Sequence, residues 1–269
     1  MSLIYKQYFG FKRDPFPMDV STKDLLKLPG MIGVKERLDY CLSLGGVMAV
    51  TGEVGSGKST SLRWSRSHYH PSETAVVNVI ANSGSIVELY KLICAGLEIP
   101  ITSSSRARLI TEAKQAIWEI VIGKKQKVAI LIDEAQLLRS EVFGEIHTLS
   151  QFDHDSKNMV SLILCGQTTL LDKLTYRSSA PLASRIIAKT HLGGLSRIQL
   201  EEYILHHLKI AGIKKPLFSE DAVTALHQGS GGVLRRANSL ARGGLIAAAI
   251  EQKEQVSSEH IRIAASELI

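Results

Sequence analysis

One stretch restricts the possible folds of this chain more than any other. Residues 47–60 read Val-Met-Ala-Val-Thr-Gly-Glu-Val-Gly-Ser-Gly-Lys-Ser-Thr, an apolar run that ends in a glycine-rich turn. The turn has the spacing Gly-x-x-x-x-Gly-Lys-Ser of a phosphate-binding loop. Glycines let backbone N–H groups face an anion, and a helix that follows presents its positive N-terminus to it. The pattern predicts a strand, a phosphate-binding turn and a helix; the alternative is a glycine-rich turn without a ligand.

The residues of this loop have separate expected roles. Lys58 is expected to reach the β- and γ-phosphates of a nucleoside triphosphate, and Ser59 to hold Mg²⁺ through its hydroxyl. The candidate nucleotide-binding residues are consecutive: Gly52, Glu53, Val54, Gly55, Ser56, Gly57, Lys58, Ser59 and Thr60.

A second motif follows the continuous apolar run 128–132, which is typical of a strand buried on both faces. Asp133 ends this run, where a carboxylate is costly without a cationic partner. A Mg²⁺ ion shared with Ser59 supplies that partner. Glu134 is placed to orient or deprotonate an attacking water, which favours hydrolysis over binding alone.

Four more polar residues are candidates for the same site. Gln167 follows the next predicted strand and is expected to contact the γ-phosphate or the water; the alternative is a solvated loop amide. Transferring a phosphoryl group also requires positive charge, often from a neighbouring subunit. Arg185 is the first candidate for that charge and Arg177 the second, against the alternative of ordinary surface arginines. Arg235 begins a later helix, from which it is expected to reach the phosphates.

The formal net charge of +6 and the isoelectric point near 9.2 suggest a polyanionic partner. Contacts with a nucleic-acid backbone give affinity with little sequence preference. For each candidate residue the alternative is a solvated charged loop. The candidates for phosphate contact are Arg106, Arg108, Lys124, Lys125 and Lys127.

Other classes of protein are disfavoured. The sequence lacks an apolar run of the length that a membrane helix requires and a signal-peptide core, so we expect a cytoplasmic protein that does not bind membranes. Cys41, Cys94 and Cys165 stand among apolar neighbours without paired spacing. They are predicted to be buried thiols and not metal ligands or disulfides.

Strands alternate with helices as far as residue 194, and only helices are predicted from residue 196 onward. This order predicts an α/β domain, with a parallel sheet sandwiched by helices, over residues 1–194. A small all-α lid domain is expected over residues 195–269. The aromatic and proline-rich segment 1–35 is expected to pack on the α/β domain.

Taken together, these motifs resemble those of AAA+ ATPases, in particular the ExeA/GspA-like group. The motifs that carry the resemblance are Tyr8-Phe9-Gly10-Phe11, Asp14-Pro15-Phe16, the loop 51–60, Asp133-Glu134-Ala135-Gln136, Gly166-Gln167, Leu182-Ala183-Ser184-Arg185-Ile186 and Gly232-Val233-Leu234-Arg235-Arg236-Ala237-Asn238.

The resemblance implies ATP and Mg²⁺ as cofactors and assigns roles to several residues. Asp133 and Glu134 correspond to the Walker B pair, Gln167 to sensor 1 and Arg185 to the arginine finger. Arg235 corresponds to the sensor 2 arginine. The last motif departs from the group, which usually has proline at the place of Leu234 and isoleucine at that of Ala237, so the start of this helix is expected to differ.

Short basic members of the group resemble the TnsC, TniB and MuB regulators of transposition. That resemblance implies an ATP-dependent protein that binds double-stranded DNA without sequence preference, assembles on it as a ring or filament and recruits a transposase. An ExeA-like ATPase of secretion or envelope assembly, without DNA binding, is the alternative. A helicase-loader-like or signalling ATPase is a third possibility.

Overall fold

The computed structural model describes residues 4–82, 85–153 and 158–267. The strands are β1 Val47–Gly52, β2 Thr74–Ile80, β3 Lys127–Asp133, β4 Val160–Gly166 and β5 Ile186–Leu192. The helices are α1 Ile4–Phe9, α2 Pro29–Leu44, α3 Lys58–Arg66, α4 Ile86–Gly96, α5 Arg106–Trp118, α6 Ser140–Ile146, α7 Thr169–Thr175, α8 Ala180–Ala183, α9 Arg197–Ile210, α10 Glu220–Ser230, α11 Leu234–Ile250 and α12 Ser258–Glu267. A π turn at Glu119–Gly123 continues α5, and 3₁₀ turns lie at Ala135–Leu137, His147–Ser150 and Arg177–Ser179.

The strands of the described residues form one parallel sheet in the order β2-β3-β4-β1-β5. Every residue of β1 and β4 is buried, as expected for central strands that have helices on both faces. The predicted α/β class with a parallel, helix-flanked sheet is confirmed. Because the strands are parallel, the chain leaves β1, β3 and β4 at the same edge of the sheet, and this places the candidate site.

Strand β5 was not predicted from the sequence. It forms one edge of the sheet, where burial alternates: Ala188 and Thr190 are buried, whereas Lys189 and His191 are exposed. An edge strand with one solvated side lacks the continuous apolar run that identified β3. The alternation itself was the available sequence pattern, but it falls where the chain was expected to change from mixed to all-helical structure.

The chain divides into two compact units, each described here by itself. The sheet unit comprises residues 29–53 and 58–192 and holds all five strands with α2 to α8. The helical unit comprises residues 4–28, 54–57 and 193–267 and holds α1 with α9 to α12. The tip of the glycine-rich loop, Val54–Gly57, therefore belongs by its contacts to the helical unit. This division differs from the expected boundary at residues 194 and 195.

Of the segment 1–35, which was expected to pack on the α/β domain, residues 4–28 belong to the helical unit and residues 29–35 to the sheet unit. Tyr5, Phe11 and Phe16 are buried in one apolar cluster with side chains of α9, α10, α11 and α12. The ring of Phe16 stacks on His207 of α9, with 5.6 Å between the ring centroids. His207 Nδ1 lies 2.6 Å from the carbonyl oxygen of Pro15. The three aromatic rings thus complete the core of the helical unit.

Two helices of this unit, α9 and α10, begin at serine caps. The hydroxyl of Ser196 accepts from the N–H of Gln199, and the Gln199 side chain accepts from the N–H of Ser196, so the two residues form a capping box. Ser219 caps α10 through the N–H of Ala222. Among the helices described, none is long and apolar enough to cross a membrane.

Candidate functional site

The glycine-rich loop connects the end of β1 to the start of α3 at the carboxyl edge of the sheet. Gly55 and Gly57 have φ values of +86° and +93°, in the left-handed region that favours glycine. Between them the Ser56 hydroxyl is buried and has no hydrogen-bond partner in the part of the chain that the structure describes. A buried polar atom without a partner is costly. A phosphate oxygen is an acceptor that suits this hydroxyl.

Lys58 is buried at the first position of α3, with only 6% of its surface exposed. Its ammonium donates to the carbonyl oxygens of Gly52 (2.9 Å) and Glu53 (2.8 Å). Among the described residues no ion pair involves this ammonium, and a buried positive charge is costly without an anion. The loop therefore holds a cation beside a helix N-terminus, which is the arrangement that suits a phosphate group.

Ser59 and Asp133 meet although 74 positions separate them in the sequence. The Ser59 hydroxyl donates to Asp133 Oδ2 (2.8 Å), and the N–H of Glu134 donates to Asp133 Oδ1 (2.9 Å). A hydroxyl and a carboxylate are hard oxygen ligands of the kind that Mg²⁺ prefers, with its remaining positions filled by phosphate and water. The described residues contain no group of three or more His, Cys, Asp or Glu placed to bind a metal. The donor set fits a Mg²⁺ ion that shares its coordination with a bound nucleotide.

Glu134 stands in a backbone conformation that is unusual for its residue type. Its φ of +54° is left-handed, which costs a non-glycine residue on the order of 1–3 kcal/mol. Glu134 Oε2 accepts a 2.6 Å hydrogen bond from Gln136 Nε2. The strained turn after β3 thus fixes both the backbone and the carboxylate of Glu134.

Gln136 joins this carboxylate to the next strand. It is 8% exposed, and its Oε1 accepts from the backbone N–H of Gln167 (3.1 Å), directly after β4. Gly166 leaves the room for this contact, since a Cβ there would lie 2.5 Å from Gln136 Oε1. Lys173 of α7 completes the network by donating to the backbone oxygens of Gln136 (2.5 Å) and Leu138 (2.7 Å).

Sequence reasoning missed Gln136 and Lys173. Gln136 belongs to the quoted Asp-Glu-Ala-Gln motif but received no role, and its position two residues after Glu134 was the only available indication. Lys173 has no local pattern around it. Gln167, by contrast, was expected here, and the structure places it beside the turn that carries Glu134.

The thiol of Cys165 lies under this site, on β4. Burial, reinforced by the negative charge of Asp133, raises the pKa of Cys165 far above its ordinary value. Burial also raises the pKa values of Cys41 and Cys94. All three cysteines are buried free thiols that stay protonated.

Arg185 lies directly before β5, at the amino end of the parallel strands, whereas the phosphate loop lies at their carboxyl end. Its carbonyl accepts from the N–H of Val47 at the start of β1, and its Nη1 donates to the oxygen of Pro181 (2.7 Å). Gly52 lies five positions after Val47, which is about 17 Å along an extended strand. That is farther than an arginine side chain reaches, so Arg185 is not part of the phosphate site of its own chain. Arg177, the second candidate, is exposed in a 3₁₀ turn.

Arg235 lies in the first turn of α11, within the helical unit, and its side chain is exposed. Its backbone N–H donates to the carbonyl oxygen of Gly55 (3.1 Å), which belongs to the same unit. A Cβ on Gly55 would clash with Arg235 Cβ. The approach of α11 to the loop tip therefore depends on glycine at position 55.

The five predicted DNA-contact residues all belong to the sheet unit. Arg106 and Arg108 are in the first turn of α5, and they pair with Glu145 (3.0 Å) and Glu112 (2.8 Å), respectively. Much of their charge is thereby compensated.

The three lysines of the set are differently placed. Lys124 and Lys125 follow the π turn, and Lys127 begins β3 at its amino end. All three are exposed, at the edge of the sheet opposite Asp133.

A five-stranded parallel sheet, a glycine-rich loop, and a serine and an acidic pair at one edge define the class of protein. The chain is a P-loop ATPase with the AAA+ fold. In agreement, the model of the AAA domain family matches residues 42–174.

In amino-acid sequence, the chain is similar to a secretion protein. The chain is 30% identical over 268 residues to General secretion pathway protein A of Aeromonas hydrophila, covering 98% of this chain and 48% of that protein. It thus spans about half the length of the curated relative that it matches. This similarity supports a AAA+ ATPase of the ExeA/GspA-like type.

Solved structures share the fold at low sequence identity. Cdc6p of Pyrobaculum aerophilum superposes with a TM-score of 0.70 at 17% identity, covering 95% of this chain and 70% of that one. The ORC1 protein of Aeropyrum pernix, solved in complex with DNA, gives 0.68 at 18% identity, covering 96% and 70%. Drosophila ORC bound to DNA gives 0.65 at 16% identity, covering 98% and 66%.

Proposed function

We propose that the loop and the acidic pair hydrolyse ATP in the following way. Lys58 and the loop N–H groups bind the β- and γ-phosphates, while Ser59 and Asp133 hold Mg²⁺. Bound Mg²⁺ supplies neutralisation of charge on the phosphate oxygens. Glu134 takes a proton from the water that attacks the γ-phosphorus, and Gln167 helps to position that water. The bond between the γ-phosphorus and its bridging oxygen breaks, and ADP and phosphate leave.

Arg185 is proposed to act on the nucleotide of a neighbouring subunit. The observation that supports this is its place at the amino edge of the sheet, about 17 Å along β1 from its own loop. An arginine supplied in this way stabilises the charge that develops in phosphoryl transfer. The protein is then active only as an oligomer.

Mixing two inactive variants tests this role. Arg185→Ala removes the donated arginine, and Glu134→Gln removes the base. In a mixed oligomer some sites combine the intact Glu134 of one subunit with the intact Arg185 of the next, so phosphate release should recover to a measurable fraction of wild type. Mixtures that stay as inactive as either variant alone would contradict the arrangement.

We propose that the protein is an ATP-dependent regulator of transposition, which assembles on double-stranded DNA as a ring or filament and recruits a transposase. The carrying observation is the excess positive charge of +6 on a chain with a complete ATP site. DNA backbone contacts would use that charge without reading sequence. Proteins of similar fold have been solved with DNA, including Aeropyrum pernix ORC1 and Drosophila ORC.

Fluorescence anisotropy on a labelled duplex tests the DNA-binding step. We expect tight binding with ATP, weaker binding with ADP and none of the ATP-dependent component in Lys58→Ala. Raising the salt from 50 to 200 mM should weaken binding steeply. Lysine and arginine contacts release cations from the DNA, and this release becomes less favourable as the salt concentration rises. Wild-type protein that hydrolyses ATP but shows no nucleotide-dependent binding would refute the proposal.

Secretion or envelope assembly is the second candidate function. The similarity to General secretion pathway protein A, which extends over nearly the whole of this chain, favours it. The two functions differ in the anisotropy experiment. ATP hydrolysis without any duplex binding would favour the secretion-type function.

A further inference from the structure

We propose that one surface of the helical unit, at the end of α9, holds the DNA backbone. This basic surface consists of Lys12, Arg13, Lys209, Lys214 and Lys215. The inference rests on the proposed DNA binding and locates it. It replaces the lysine run 124–127 and the arginines of α5 as the place of contact.

Two chain segments almost 200 residues apart form this surface. The N–H of Lys12 donates to the carbonyl oxygen of Ala211 (2.9 Å), just after α9. The side chain of Lys12 lies along Gly212, where an added Cβ would come within 3.0 Å of its Cγ. Arg13 Nε donates to the oxygen of Ile210 (3.0 Å). The basic residues of both segments therefore stand side by side.

The surface contains an unusual surplus of charge. Residues 5–13 and 203–218 include no aspartate or glutamate. Two of the cations have carboxylate partners, Arg13 with Asp24 (2.9 Å) and Lys215 more loosely with Glu254 (3.9 Å). Within the described ranges no ion pair involves the other three lysines of the surface, Lys12, Lys209 and Lys214.

The basic surface contributes five cations to a chain that has 32 lysines and arginines against 26 aspartates and glutamates. Cations gathered on one surface attract a polyanion more strongly than cations interspersed with carboxylates.

Stabilisation of α9 alone does not require so many cations. A helix C-terminus carries the equivalent of about half a negative charge, and Arg13 already donates to its Ile210 carbonyl. Lys12, Lys209 and Lys214 are exposed. They are positioned to replace counterions along a phosphate backbone, which we infer to be that of duplex DNA.

A pair of matched triple variants tests this location. The first is Lys12→Gln, Lys209→Gln and Lys214→Gln. The control is Lys124→Gln, Lys125→Gln and Lys127→Gln, which removes the same charge from the sheet unit. Anisotropy of full-length protein on a duplex, with ATP and over a series of salt concentrations, gives the slope of log K against log salt.

Each phosphate contact contributes about 0.9 to this slope. We expect the slope of the first variant to flatten by roughly 2 to 3 units, and that of the control to stay within about half a unit of wild type. Binding of a fluorescent ATP analogue without DNA should be unchanged in both, which shows that they are folded.

Three results would overturn the location. The control variant could lose DNA binding while the first variant keeps it, or both could lose it equally, which would show an effect of overall charge. Alternatively, wild type could fail to bind DNA yet bind vesicles of phosphatidylserine and phosphatidylcholine, with binding lost in the first variant; the surface would then serve a membrane. Failure of wild type to bind DNA also refutes the proposed function, whereas the first two results leave that function intact.

Discussion

Replacing Gln136 should slow ATP hydrolysis without weakening ATP binding. The Gln136 amide donates to Glu134 Oε2 at 2.6 Å and accepts from the N–H of Gln167 at 3.1 Å. A hydrogen bond to a charged group contributes about 1.5–3 kcal/mol and a neutral one about 1 kcal/mol. The first of these bonds orients Glu134 in the transition state. If Gln136→Ala loses only this contribution, the rate of ATP hydrolysis falls by about 10- to 100-fold.

Gln136→Glu separates an electrostatic effect from a loss of packing. Two carboxylates about 4 Å apart repel by roughly 4 kcal/mol at an effective dielectric constant of 20. Glu134 is half-buried, so solvent screens part of this repulsion. The acidic limb of the pH–rate profile should move to higher pH in both variants, and further in Gln136→Glu, because repulsion is added there to the loss of the donated hydrogen bond.

The assay is single-turnover hydrolysis of radiolabelled ATP between pH 5 and 9, so that product release does not hide the chemical step. The dissociation constant of a fluorescent ATP analogue, measured on the same preparations, should remain near the wild-type value. A Gln136→Ala protein with the wild-type single-turnover rate and pH profile would show that the Glu134 contact has no part in catalysis.

Three further outcomes are expected. Gly166→Ala should reproduce the slow hydrolysis of Gln136→Ala, because its Cβ would lie 2.5 Å from the amide oxygen, whereas Gly123→Ala has no atom within 4 Å and should match wild type in single-turnover assays. Glu134→Gln should bind ATP normally but release phosphate 10²- to 10⁴-fold more slowly in a steady-state assay, and a smaller loss would exclude it as the base. Burial lowers the pKa of His207 to about 4 from 6.5, so the unfolded chain binds a proton first as the pH falls. The free energy of unfolding, measured by urea denaturation, should therefore fall by about 3 kcal/mol as the pH is lowered from 6.5 to 4. The fall should be smaller in His207→Gln.

The local chemistry of the ATP site was predictable from the sequence. Glycine spacing, the apolar run before it and the lysine after it define a strand, turn and helix through short-range preferences alone. The continuous apolar run 128–132 similarly identified a buried central strand with Asp133 at its end. Because parallel strands expose their carboxyl ends at one edge, the meeting of Ser59 with Asp133 followed from topology.

The contacts that refine the site were decided only by tertiary structure. Gln136 touches both Glu134 and Gln167 because a strained turn and a glycine at the end of β4 bring them together. Position in the sheet, and not residue type, separates Arg185 from the loop of its own chain. No pattern within a few residues encodes either relation.

Charge illustrates the same division between sequence and fold. The sequence alone gives the net charge of +6. Folding decides which cations are compensated, as Arg106 is by Glu145, and which are gathered, as Lys12 and Lys209 are at the end of α9. Electrostatic attraction falls steeply with distance in salt, so the spatial arrangement of these residues, which packing alone creates, determines where a polyanion binds.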